Sequence, residues 1–440
     1  MRNSPSLGMN GGLTSLVRAV LVAFALALFA PAVAHADTFL QLKALIEHGQ
    51  YDQARDLAAH ASANPEVNKL NLAFTNALIL KLQGKYAEAA KAMRAILSDH
   101  PNLTRVRGEL GDTLFRMGDT EGATFNFQLL ADSSATNTQR SFYDSYLSAI
   151  RHKRPWTLDA YVALAPSTNI NNGISGNTVI IGGVPFDATS HAGKSGIGLS
   201  SGVAGTYRFD LTPQWALTFG SKLDGKFYQD DSFDQLTGSA FSELSYTTPD
   251  WRLGLGVTAE RTWSAWDAYN WDVGPQVSLS RNFGRLGTVI GTAGWKAITY
   301  DSIDAYSGDE TDLGLRYLKT LSPSSSFGVG MAYSHVNANV SFNGYDRFRP
   351  SVEFYKELPG GLLASLDADY EWHDYASDFP LMGTSREDKQ LDLTAAVTFR
   401  NWSWHGFAPK VQYSYTVNDS NVALYSYSSQ TLGFYLTKQY

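Results

Sequence analysis

Glu371-Trp372-His373-Asp374 places two carboxylates and an imidazole within four residues, the side chains that general acid–base chemistry uses. A hydrolase at a membrane rim could use such a group. The plainer reading is a set of polar residues where a strand leaves the membrane. The other histidines, of nine in all, are scattered and none forms a His-Glu-x-x-His metal pair. Walker-type phosphate loops are absent. With no cysteine in 440 residues, a disulfide scaffold, thiolate metal sites and a lipid anchor on the chain's own Cys are excluded. A net charge of −7 without a basic block argues against a nucleic-acid partner. The chain is therefore expected to be no enzyme, with no catalytic residues, bound metal or cofactor. Lys222, Asp224, Arg252 and Glu260 read as the lining or plug of a polar lumen.

Those residues lie in a ladder of alternating strands that runs from Trp156 to Tyr440. Leu211, Thr248, Gly284, Ser322 and Pro359 mark tight turns about 36–38 residues apart, enough for two ~10-residue strands, a turn and a longer loop. Between turns the pattern has the two-residue period of a strand. Trp251, Leu253, Leu255, Val257 and Ala259 share one face, while Arg252, Gly254, Gly256, Thr258 and Glu260 share the other. Strands are expected at 156–165, 196–209, 215–228, 236–247, 251–263, 271–281 and 286–300. Seven more follow at 311–319, 327–336, 345–356, 362–375, 391–400, 407–417 and 425–440. About fourteen antiparallel strands suit a single-chain outer-membrane β-barrel. The longer loops, 169–194, 229–234, 264–270, 301–310, 337–344, 376–388 and 418–422, fall at the end opposite the tight turns and are expected to face outside. Trp156, Trp215 and Trp251 begin outward-running strands, and Trp263, Trp271 and Trp372 lie near the other end, as two interfacial girdles.

Residues 37–154 read as a periplasmic helical repeat domain. Gly49-Gln50-Tyr51-Asp52-Gln53-Ala54 recurs as Gly84-Lys85-Tyr86-Ala87-Glu88-Ala89, and weakly from Gly118, at the tetratricopeptide period of about 34 residues. In that reading Gly49 and Gly84 occupy turns, while Tyr51, Tyr86, Ala54 and Ala89 pack the helices. A last helix is expected near 141–150, then a basic hinge over Arg151–Pro155. Residues 1–36 read as a signal peptide: Arg2 and Arg18, an apolar run from Ala19 to Ala30, and an Ala34-His35-Ala36 cleavage pattern. The three segments are thus 1–36, 37–154 and the barrel at 155–440.

Two stretches carry more than architecture. Ser167-Thr168-Asn169-Ile170-Asn171-Asn172 follows the first strand, and Asn418-Asp419-Ser420-Asn421 precedes Tyr425-Ser426-Tyr427 near the end. Helical repeats, an Asn-Ile-Asn loop, some fourteen strands and a Ser-Asn ending together resemble the surface lipoprotein assembly modulators, the outer-membrane translocators of type XI secretion. The carried-over positions are Asn169, Asn171, Ser420 and Asn421. This chain has Ser167-Thr168-Asn169 where the family pattern is Asp-Ser-Asn, and a terminal Tyr where Phe is usual. The resemblance implies client proteins, lipid-anchored or soluble and often used in metal or haem acquisition, moved from periplasm to surface. It also implies the barrel-assembly machinery, periplasmic chaperones and the lipid bilayer as partners. A polysaccharide-export porin with attached repeats is the alternative, ahead of a nutrient porin or an outer-membrane enzyme.

Leu432, Phe434, Leu436 and Tyr440 share one face of the last strand and resemble the signal for barrel insertion, with Lys438 placed to snorkel. Deleting residues 434–440 is expected to abolish assembly, read as loss of a heat-modifiable band from outer-membrane fractions.

Overall fold

The computed structural model describes residues 33–438 apart from 135, 182, 381, 405 and 406. The expected signal run and Tyr440 lie outside the described residues, the run save for its last few positions. Seven helices come first: α1 (Val33–Glu47), α2 (Tyr51–Ala59), α3 (Pro65–Leu82), α4 (Tyr86–Asp99), α5 (Thr104–Met117), α6 (Thr120–Asp132) and α7 (Asn137–Lys153). Among the described residues, no helix is long and apolar enough to cross a membrane. The chain divides into two compact units, Met1–Ile96 and Leu97–Tyr440.

In the first unit, Gly49 and Gly84 end helices at φ +73° and +76°, the left-handed backbone that glycine adopts without a Cβ penalty. Ala54 and Ala89 are fully buried, and Tyr51 and Tyr86 are half-buried. Pro65 takes the first position of α3, where its missing N–H costs nothing, and Asn64 caps it by accepting from the Glu66 amide.

In the second unit, Asp119 caps α6 and Thr136 caps α7. Arg151, His152 and Lys153 form the last turn of α7, where positive charge complements the helix dipole. The expected basic hinge is therefore the end of a helix longer than 141–150.

Sixteen strands follow among the described residues. Two form a small hairpin, β2 (Thr178–Ile181) and β3 (Val184–Asp187). The other fourteen close an antiparallel barrel in sequential order, with the first strand paired to the last. They are β1 (Trp156–Ser167), β4 (Gly196–Asp210), β5 (Trp215–Phe227), β6 (Gln235–Thr247), β7 (Trp251–Ser264), β8 (Asp267–Asn282) and β9 (Thr288–Tyr300). After these come β10 (Gly308–Ser322), β11 (Ser325–Ala338), β12 (Tyr345–Leu358), β13 (Leu362–Asp378), β14 (Ser385–Phe399), β15 (Ala408–Ser420) and β16 (Tyr427–Thr437).

Alternation along each strand sorts side chains to two faces. Leu158, Val203, Leu223, Leu255, Leu313, Val352, Leu366 and Phe434 are exposed and project outward. So continuous an apolar surface needs lipid rather than water. The six girdle tryptophans all lie on this outer face, with Trp156, Trp215 and Trp251 toward the tight turns. Arg252, Gly254, Gly256, Thr258 and Glu260 face the lumen, as the sequence pattern requires.

The strands run further than expected at the loop end. The loop expected over 264–270 is a two-residue turn, because Ser264 pairs directly with Asp267. Ala265 and Trp266 sit at φ +50° and +67°, the type I′ geometry that matches strand twist but usually calls for Asn-Gly. Trp266 is held there by stacking on Phe227 at 5.8 Å and by an Nε1–H donated to Asp234 at 3.0 Å.

The two faces should respond differently to charge. Leu255→Arg is expected to cost about 2–4 kcal/mol, and Thr258→Arg on the lumen face far less, in reversible unfolding titrations in lipid bilayers.

Candidate functional site

The lumen wall is built from the inward positions of all fourteen strands, and many of its charges occur as linked pairs. Lys296 on β9 bonds Glu310 on β10 at 2.8 Å, and Arg347 on β12 reaches the same carboxylate at 3.2 Å. Arg347 also donates to Ser334 Oγ at 2.9 Å, and Ser334 donates to Asp312. Arg316 pairs with Glu353. Asp367 and Asp369 add carboxylates beside Arg316 and Arg349, where Gly328 and Gly330 leave a cleft in the wall. On the opposite wall Lys222 pairs with Asp224 at 2.7 Å and Arg252 with Glu243 at 2.6 Å. Tyr161 donates to Asp224 at 2.9 Å across Gly202, where a Cβ would lie 2.4 Å from the Tyr161 ring.

The Glu371–Asp374 stretch alternates like its neighbours. Glu371 and His373 point inward, 3.3 Å apart, with Arg349 3.5 Å from Glu371. Trp372 points outward, and so does Asp374 by its place in the same strand. Glu371 is thus shared between Arg349 and His373, as charges are paired elsewhere along the wall. Among the described residues, no cluster of His, Asp and Glu could hold a metal ion.

Helices α5–α7 lie across the end of the barrel that carries the tight turns. Asn102 accepts from Ser324 Oγ, in the β10–β11 turn, at 2.8 Å. Arg107 on α5 pairs with Glu357 at the end of β12; their side chains are 1% and 8% exposed. Arg400 holds the same carboxylate at 2.7 Å. Arg107 also donates to the Pro101 carbonyl at 2.8 Å and to Asn126 at 3.3 Å. Phe125 on α6 meets Tyr355 edge-on at 6.5 Å and lies under the Arg400 guanidinium. Glu121 pairs with Arg154 at 3.0 Å and with Lys438, just past β16, at 3.5 Å. His152 lies 3.7 Å from Asp210 at the end of β4. From β11 round to β4 is half the circuit of strands, so the helices bridge the mouth from side to side. Burial holds the Arg105 guanidinium on α5 down at about 9, against the opposing pull of Glu109. Arg151 is lowered by burial and by Arg208 beside it.

The two asparagine-bearing stretches converge at the loop end. Asn169 is 7% exposed; it donates to the carbonyls of Gly173 at 2.7 Å and Ser428 at 3.0 Å, and accepts from the Gly173 amide. Asn171 donates to the Ala192 carbonyl and accepts from the Lys194 amide, folding the 168–195 segment back on itself. Asn421 accepts from the Glu387 amide and donates to the Ser385 carbonyl, both at 2.8 Å, tying its loop to the start of β14. Ser420 Oγ accepts from the Val422 amide, and Val422 is fully buried. Ile174, Val179 and Ala188 of the first loop pack against Ala423 and Leu424 of the last. Arg386 lies over the Tyr425 ring at 3.2 Å.

Leu432, Phe434 and Leu436 share the outer face of β16 and are exposed. Lys438 is paired with Glu121 rather than extended along the interface. Arg107 and Glu357 were not foreseen: they are 250 residues apart and neither belongs to a motif.

A family profile described as surface lipoprotein assembly modifier matches residues 156–440. Surface lipoprotein assembly modifier 1 of Haemophilus influenzae is 23% identical over 392 residues, covering 86% of this chain and 79% of that one. A surface lipoprotein assembly modifier of Pasteurella multocida is 21% identical over 401 residues, covering 83% and 75%. Among solved structures, Salmonella typhi OmpF in complex with daunomycin aligns with a TM-score of 0.39 at 7% identity, over 64% of this chain and 97% of that one. The Pseudomonas putida toluene transporter TodX aligns with a TM-score of 0.36 at 10% identity, over 66% and 92%.

Glu357→Ala leaves two guanidinium groups facing one another in a buried site. It is expected to destabilise helix docking by about 3–5 kcal/mol, seen as faster proteolysis of α5–α7 while the barrel stays heat-modifiable.

Proposed function

Since the chain belongs to the surface lipoprotein assembly modifier family, we propose that it is an outer-membrane translocator that moves client proteins from periplasm to cell surface. The observation that carries this reading is a closed barrel with a polar lumen, matched over its whole length by the family profile. The barrel is the conduit or insertion platform, and the helices preceding it handle the client on the periplasmic side. The tetratricopeptide reading of α1–α4 fits that task, since such repeats present a concave binding surface. Clients are lipid-anchored or soluble secreted proteins, of the kind used in metal or haem acquisition. The barrel-assembly machinery inserts the chain, and periplasmic chaperones deliver clients. The sequence has no nucleotide loop, so drive comes from client folding outside or from binding differences along the route.

The lumen chemistry weighs against the polysaccharide-export alternative. An anionic polymer needs cations free to meet it, whereas Lys222, Arg252, Lys296, Arg316 and Arg347 are each already held by a carboxylate.

Co-expression with signal-bearing proteins encoded beside the gene, in a double-membrane host lacking it, tests the reading. At least one client is expected to become sensitive to external protease only when this chain is present. Loss of a surface polysaccharide on deletion, with every client still internal, would favour the porin instead.

A further inference from the structure

The joint between β1 and β16 differs from the rest of the wall. Among the described residues it shows five register pairs, from Tyr161↔Thr437 to Ser167↔Thr431, with one further backbone bond at each end, Lys438 to the Ala160 carbonyl and Thr168 to the Gln430 carbonyl. Every other neighbouring pair in the barrel has at least eleven. The run stops between Leu164 and Ser167, and Pro166, which has no N–H to give, sits in the gap. Pro275 and Pro350 make similar gaps elsewhere, but those joints keep at least four pairs on each side of the gap. Facing the lumen at the gap are Ala165 and Gly433, with the Tyr435 ring lying over Gly433.

Above the gap the Thr168 amide donates to the Gln430 carbonyl at 3.0 Å, and side chains supply the rest of the fastening. Ser167 Oγ lies 3.1 Å from Ser429 Oγ and accepts from Thr431 at 3.0 Å. Thr168 Oγ1 accepts from the Gln430 amide at 2.9 Å, and Asn169 donates to the Ser428 carbonyl. These are neutral hydrogen bonds, which water can replace in kind. Below the gap the outer face is apolar, with Val162, Leu164, Phe434 and Leu436 exposed to lipid.

We propose that the β1–β16 joint is the place where the wall parts, giving the lumen a sideways exit into the outer leaflet for the acyl-bearing end of a lipid-anchored client. This rests on the translocator reading above. A polar lumen that ends in water cannot by itself deliver acyl chains to a bilayer, because their burial in lipid is what anchors the client. An opening in the wall leaves backbone groups unpaired in lipid, so it falls where the fewest pairs are broken. Asn169 then serves as a latch, joining the first loop to the last strand at the top of that opening.

Hydrogen exchange of the full chain in lipid nanodiscs tests the joint without a client. Amides of 160–165 and 432–437 are expected to exchange at least tenfold faster than those of β5 and β6; equal or slower exchange overturns the proposal. The chain has no native cysteine, so paired substitutions give a clean lock. Val162→Cys with Leu436→Cys, or Leu164→Cys with Phe434→Cys, would close the joint, and Leu217→Cys with Leu244→Cys would lock β5 to β6 as control. The probe is an acylated reporter displayed by the parent protein. Oxidising either joint lock is expected to cut display about tenfold and a reductant to restore it, with the control unchanged. Full display through an oxidised joint overturns the sideways exit alone. A parent protein that displays no client overturns the translocator reading, and the exit with it.

Discussion

A backbone amide in hydrocarbon has no water to bond, and this constraint governs the rest of the molecule. It forces the strands into a closed circuit, because any open edge would strand N–H and C=O groups in lipid. Closure requires the first strand to meet the last, so β1 and β16 are joined across almost the full length of the barrel sequence. The alternation that puts Leu255 into lipid also puts Gly254 and Gly256 into the lumen. One period of two therefore sets the wall, the lining and the direction of every charge.

The lining shows how such a wall tolerates ionised groups. Lys296, Glu310 and Arg347 come from three different strands and meet at one height. Their mutual pairing offsets the loss of hydration in a confined space, and each link crosses a strand joint. The charges therefore tie neighbouring strands together as well as keeping the lumen polar. The same pairing leaves these cations engaged.

Much of this was legible in the sequence. The strand count and both faces followed from alternation, and the tight turns from Pro and Gly. The misreadings have local causes. Residues 264–270 looked like a polar loop because Ala-Trp is a poor type I′ pair; only the Phe227 and Asp234 contacts of Trp266 make it acceptable. The Arg151–Pro155 run looked like a hinge because charge alone does not distinguish a helix end from a linker. Asn169 and Asn421 could be singled out by resemblance, but their partners at Ser428 and Glu387 are fixed by the closed circuit. Arg107 and Glu357 carried no signal, since nothing local relates residues 250 apart.

The two ends of the barrel are closed by different chemistry. At the helix end, a buried carboxylate joins Arg107 and Arg400. Such a cluster is held all together or not at all, because separating one member leaves charge without a partner in a dry site. At the loop end, Ser167, Thr168, Asn169, Ser429 and Thr431 share neutral bonds of about 1 kcal/mol each. Each can be exchanged for water in turn. The helix end therefore yields as a unit, when something replaces the whole set of contacts, whereas the loop end yields by increments.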